Sequence, residues 1–202
     1  TLEQAAVSVA SRGDPRRAAE LARAAERLTP SGVDVRRRRL ALTEYLVAAG
    51  DPGQARAVLE AMIGDTPEGP ERAALLWRLA DTIGDTLDEP IALCEQALLE
   101  AGDDPALLAE IHTALGTFTW LAGDLVRSTG HVRSTSTLAR AAGDETLEAI
   151  AIAEMCHAEA VLGVPWDRDA MERALEIERR VGGIPATLAP SYPVIVAVRV
   201  IQ

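Results

Sequence analysis

The sequence predicts an all-α protein built from about five antiparallel helix pairs. Three observations carry this expectation. Hydrophobic residues make up 48 % of the 202-residue chain and aromatics only 3 %. Ala and Leu dominate, and both favour helix. Gly-Asp dipeptides recur in one series at Gly13, Gly50, Gly84 and Gly123, closed by Gly163, and in a second at Gly64, Gly102 and Gly143, closed by Gly182. Within each series the glycines lie 34 to 41 residues apart. Two interleaved series of equal period describe a two-helix unit repeated along the chain. Finally, Asp14-Pro15, Asp51-Pro52 and Asp104-Pro105 have the chemistry of helix starts. The Asp side chain accepts from orphan N–H groups, and a Pro at the first helical position has no N–H to lose.

The helix pairs follow in order. The first is 2–11 with 15–28, whose second member carries Ala18, Leu21, Ala22, Ala25 and Leu28 at helical spacing. The second is 34–49 with 52–63, carrying Ala55, Val58, Leu59 and Met62. The third, 70–83 with 88–101, and the fifth, 145–162 with 167–181, have extra residues after their turns. The fourth is 105–122 with 125–142. Small residues on the second helices allow the close approach that nested hairpins need. Residues 1–184 are therefore expected to form one helical-repeat domain. The β-branched run Val194–Ile201 does not continue the pattern, so 185–202 is either an irregular tail or a truncated next repeat.

Charge and motifs exclude several function classes. The net charge is −11, from 31 acidic and 20 basic residues. That opposes nonspecific binding to DNA or to anionic membranes by the segment as a whole. Every basic residue is Arg, which a GC-rich coding bias explains. No Gly-x-x-x-x-Gly-Lys-Ser/Thr loop and no Gly-x-Ser-x-Gly elbow is present. Neither of those motif-borne phosphate or acyl-transfer chemistries is expected. Cys94 and Cys156 are too few and too far apart for a disulfide framework or zinc site; they are expected to be reduced, semi-buried residues of a cytoplasmic protein. The chain begins with Thr1 rather than Met, as a piece of a longer protein would.

Four further clusters suggest chemistry and are better explained by structure. Glu154 and His157 have the Glu-x-x-His spacing of di-iron bundles, but no second copy accompanies them. Arg12-Gly13-Asp14 spells an adhesion tripeptide, yet it is one of the recurring turns. Arg36 to Arg39 spread around a helix circumference and cannot form one phosphate-binding face; an ion-paired helix start is expected. Asp81, Asp85, Asp88 and Glu89 lack the alternating spacing of a calcium loop and are expected at helix ends. Trp77, among Leu76 and Leu79, is expected in the core. No catalytic residue, metal or cofactor is expected.

The repeat resembles the tetratricopeptide family. Gly13, Ala18, Ala22, Ala25 and Pro30 follow its pattern, with Ala22 small where a large residue is usual. Gly50, Ala55, Leu59, Met62 and Pro67 follow it too, and Gly116 with Gly123 match its paired glycines. The resemblance implies an α-solenoid coiled as a right-handed superhelix, with ligands bound on a concave face lined by the first helix of each pair. The repeat register carried over from that family puts Arg37, Glu44, Arg78, Asp81, Glu110, Thr113, Thr117, Trp120 and His157 on this face. Trp120 either anchors a ligand there or packs between hairpins. At the level of phrasing, stretches such as 37–63 and 89–125 resemble the helical arm of large ATP-binding LuxR-type (MalT-like) transcriptional regulators. That resemblance implies an interaction or effector-sensing arm, with the ATPase and helix-turn-helix lying outside this segment. The partners it implies are a protein or peptide, neighbouring domains of the full-length chain, or a small effector, with no nucleic acid or membrane contact by these residues. The alternative is a freestanding scaffold with no link to transcription. A small helical enzyme is the third class, opposed by the lack of a catalytic constellation.

Overall fold

Regular Asp caps and Gly stops divide the described residues into ten helices. The structure, a computed structural model, describes residues 1–29, 33–82, 84 and 86–184. The helices are α1 Leu2–Ala10, α2 Pro15–Arg27, α3 Val33–Ala48, α4 Pro52–Gly64, α5 Pro70–Ala80, α6 Asp88–Glu100, α7 Pro105–Leu121, α8 Leu125–Ala142, α9 Glu145–Val161 and α10 Arg168–Val181. No strand occurs among the described residues. No helix among them is long and apolar enough to cross a membrane. The Val/Ile-rich segment 185–202 lies outside the described residues, as does Asp85 of the acidic cluster.

The cap chemistry is local and repeated. Asp14, Asp51, Asp104, Asp124, Asp144 and Asp167 each accept from backbone N–H groups of the helix they open. Gly143 stops α8 in the left-handed conformation, φ 75°, which an L side chain resists. One turn departs from expectation. Gly64 is the last residue of α4 rather than lying beyond it, and Asp65 caps its C-terminus instead of opening α5. The Thr66 hydroxyl donates to Met62 O at 2.7 Å and closes that end. α5 begins only at Pro70, behind Gly69 and without a side-chain cap. It also stops at Ala80, short of the expected 83, where the Thr82 hydroxyl takes up the Leu79 carbonyl at 2.7 Å.

The described residues form two compact units, divided between Leu93 and Cys94. In the N-terminal unit each helix packs on the next from α1 to α5. Its core has two clusters. Ala19, Ala22, Leu42, Leu46 and Ala55 form one, and Leu59, Met62, Leu75 and Leu79 form the other. Small residues on α2 and α4 let α3 seat between them, its leucines filling the space. Arginines then reach across to the next helix but one. Arg37 of α3 donates to Glu3 of α1 at 3.0 Å, Arg36 pairs with Glu71 of α5, and Arg56 of α4 donates to Glu89 of α6 at 2.7 Å. Their separations, 33 to 35 residues, are one repeat. Arg38 joins Glu3 and the Ala25 carbonyl, and Arg39 joins Glu26 at 2.8 Å. The basic run is thus dispersed around its helix.

In the C-terminal unit α7, α8, α9 and α10 pack in sequence. Ser128 to Gly116 and Thr113 to Thr135 run α8 antiparallel to α7. Ala149, Ile150, Ile152, Ala153, Cys156, Met171, Ala174 and Ile177 make the α9–α10 core. Glu148, 1 % exposed, accepts from Arg140 of α8 at 2.7 Å and from Arg173 of α10 at 2.7 and 3.0 Å. α7 and α8 meet at Gly116, where an added Cβ would stand 3.0 Å from Val132 Cγ2. Gly116→Val is therefore expected to lower stability by about 1–3 kcal/mol through overpacking. Valine has the higher helix propensity of the two, so a loss seen by chemical denaturation, with Thr117→Val at the exposed neighbour as the control, reports the overpacking.

Candidate functional site

The residues expected on the binding face lie on α3, α5, α7 and α9 or at their ends, some in each unit. In the N-terminal unit, Glu44 of α3 together with Arg78 and Asp81 at α5 line one open cleft of about 330 Å³. Thr43, Val47, Ala48, Leu59, Trp77 and Thr82 complete its walls. Arg37 is not among them. It is taken up by Glu3 and Asp34 and borders a smaller cavity of about 90 Å³ under α1, with Ala6, Ala22, Ala25 and Tyr45.

Trp77 differs from its expected place in the core. It is half-buried and lines the cleft, because Leu75, Leu76 and Leu79 take the core face of α5. The Arg78 guanidinium lies 4.5 Å from the centre of its ring and donates to the Ala74 carbonyl at 2.7 Å. Arg78 is thereby folded back along its own helix. The indole N–H of Trp77 is shut away from water with no acceptor among the described residues. Glu44 and Asp81 likewise have no hydrogen bond or ion pair there. Loss of water around Asp81 pushes its carboxyl above the ordinary range, although the residue keeps an exposed edge.

In the C-terminal unit, Glu110, Thr113, Thr117 and Trp120 fall at three- and four-residue steps along α7, hence on one face. Glu110 and Thr117 are exposed, while Thr113 and Trp120 are half-buried. The hydroxyls of Thr113 and Thr117 turn back to the Ala109 and Thr113 carbonyls. Trp120 meets His157 of α9, ring centres 5.3 Å apart and planes tilted by 36°. Glu154, one turn before His157, is half-buried and its carboxyl is pushed up by burial. No group of three or more potential metal ligands exists among the described residues.

Three other groups have definite environments. Cys94 and Cys156 are not joined in a disulfide and are fully buried, deeper than the semi-buried placement expected, because both lie on core faces of their helices. Burial pushes the Cys156 thiol up to about 12, with Glu159 and Asp167 adding to the effect, so it is no nucleophile at neutral pH. His112 and His131 face each other with Nδ1 atoms 3.0 Å apart. Burial lowers both below the usual imidazole range, with His131 adding to the effect on His112 and Arg127 to that on His131. One neutral ring therefore donates to the other.

Sequence reasoning missed Thr43, Val47, Ala48, Leu59, Trp77 and Thr82 as cleft residues. Trp77 had a usable signal, since it falls off the 75–76–79 stripe of its helix. The others become neighbours only when α3 and α5 are brought side by side.

No family model matches the chain, and no curated protein sequence matches it. Solved structures do. The crystal structure of a point variant of a Podosopora anserina putative kinesin light chain, with nearly identical TPR-like repeats, is similar at a TM-score of 0.65 and 17 % identity, covering 90 % of this chain and 94 % of that one. A second crystal structure of that protein's repeats is similar at 0.61 and 18 %, covering 90 % and 93 %. At such low identity the likeness speaks for fold alone, and that fold is an all-α, TPR-like helical-repeat solenoid.

Proposed function

We propose that this chain is a non-catalytic interaction segment that binds a protein or peptide, or a small effector, along the face of its first helices. The observation that carries the reading is the pairing of Trp120 with His157 beside exposed Thr117 and Glu110. A half-buried Trp on a polar face offers apolar contact with little side-chain entropy to lose, as binding anchors do. The finer reading is the arm of a LuxR-type regulator, supported by the phrasing of 37–63 and 89–125 and by the repeat fold. A phosphate loop upstream and a helix-turn-helix downstream in the full reading frame would support that arm. Their joint absence would favour the freestanding scaffold.

Trp120→Ala tests the face itself. Its expected cost in folding stability is modest, about 1–2 kcal/mol, made of a ring contact and partial burial. Peptides selected from a random displayed library against the whole chain should lose about 2 kcal/mol of affinity, or roughly thirtyfold. A sharp drop in melting temperature with unchanged affinity would make Trp120 a packing residue and remove it from the site.

A further inference from the structure

The cleft between α3 and α5 has a charge pattern that the general face does not. Its floor and one wall are apolar, formed by Leu59, Val47 and the Trp77 ring, while Glu44 and Asp81 supply carboxylates from two helices. Neither carboxylate has a counter-ion among the described residues, although arginines elsewhere in the unit are drawn into ion pairs. The single cation lining the cleft among the described residues, Arg78, is engaged by the Ala74 carbonyl and the Trp77 ring. It leaves both acids unneutralised.

We propose that this cleft receives a basic side chain, lysine or arginine, of a bound peptide. The carboxylates of Glu44 and Asp81 take the charge, and Trp77 with Val47 covers the aliphatic stem. Long basic side chains combine an apolar stem with a charged tip, and this cleft presents the matching surfaces in the matching order. A phosphate or an acidic peptide is repelled by the same two carboxylates. A bare calcium ion would lack most of the six to eight oxygens it requires. The proposal rests on the interaction reading above and specifies one position of the ligand.

The three indole N–H resonances of Trp77, Trp120 and Trp166 make the test local. The ¹⁵N-labelled whole chain is titrated with acetyl-Gly-Arg-Gly-amide, its Lys counterpart and its Glu counterpart. Each resonance is assigned by a Trp→Phe variant. The Arg and Lys peptides are expected to move the Trp77 signal saturably, and the Glu peptide to leave it in place. Glu44→Gln with Asp81→Asn, both at exposed positions, should weaken the Arg peptide by about tenfold or more with an unchanged circular dichroism melt. An unmoved Trp77 signal, an equal response to the Glu peptide, or full binding by the double variant each overturns the proposal. Library-selected peptides that move Trp120 but never Trp77 overturn it while leaving the wider interaction reading in force; peptides that move neither end both.

Discussion

Glu148→Ala is expected to cost the C-terminal unit about 2–3 kcal/mol, far more than loss of a surface ion pair. The carboxylate is only 1 % exposed and ties three helices, accepting from Arg140 of α8 and from Arg173 of α10 while seated on α9. The figure stays below the upper range for buried pairs because both guanidiniums keep about half of their side-chain surface in water and can rehydrate. The same site gives a pH signature. Burial alone would raise the Glu148 carboxyl, but hydrogen bonds from Arg173 and Arg140 outweigh it and hold the group below its ordinary value. A carboxyl lowered in the folded state stabilises fully above its unfolded value, about 4.3. That contribution disappears as pH falls through the lower folded value. Urea midpoints measured at pH 7 and at pH 3 should therefore differ less for Glu148→Ala than for the parent chain. An equal pH dependence in both would show that Glu148 is not the group that titrates.

Most of this architecture is legible in the sequence because it is written in short-range chemistry. A Gly that stops one helix and an Asp that caps the next are neighbours in sequence, so their recurrence reports helix count and position to within a few residues. The pattern misleads at Gly64-Asp65, where Thr66, not Gly, closes α4 and the next start waits for Pro70. The fate of Arg36–Arg39 is legible in kind, since four consecutive helical residues must point to four sides. Their partners Glu3, Glu26 and Glu71 are not, because each pairing depends on which helices become neighbours. The cleft is hidden for the same reason. Glu44, Arg78 and Asp81 share a face by repeat register, but Trp77 joins them only because α5 turns its leucines inward and leaves that ring at the edge. Nothing along one helix reveals that the neighbouring helix will leave two carboxylates without a counter-ion among the described residues.

The departure of Ala22 from the repeat pattern leads to the largest expected effect, at Leu42. A large residue is usual at the position of Ala22, as Leu59 shows in the next pair. The α2–α3–α4 cluster instead contains three alanines, Ala19, Ala22 and Ala55, and takes its bulk from Leu42 and Leu46 of α3. Leu42 is 1 % exposed. Alanines cannot swing into a vacated space, so Leu42→Ala leaves a cavity that does not collapse. The expected cost is about 3–4 kcal/mol, in the upper part of the range for buried Leu→Ala changes. Leu28→Ala, at a side chain 76 % exposed, is the matched control and should stay within about 0.5 kcal/mol. Restoring bulk from the opposite helix should recover part of the loss. Ala22→Leu in the Leu42→Ala background is expected to return about 1 kcal/mol, measurable as a non-additive double-mutant cycle by urea denaturation. Strict additivity would mean that the two positions do not share a space, and that the missing volume at Ala22 is not supplied by α3.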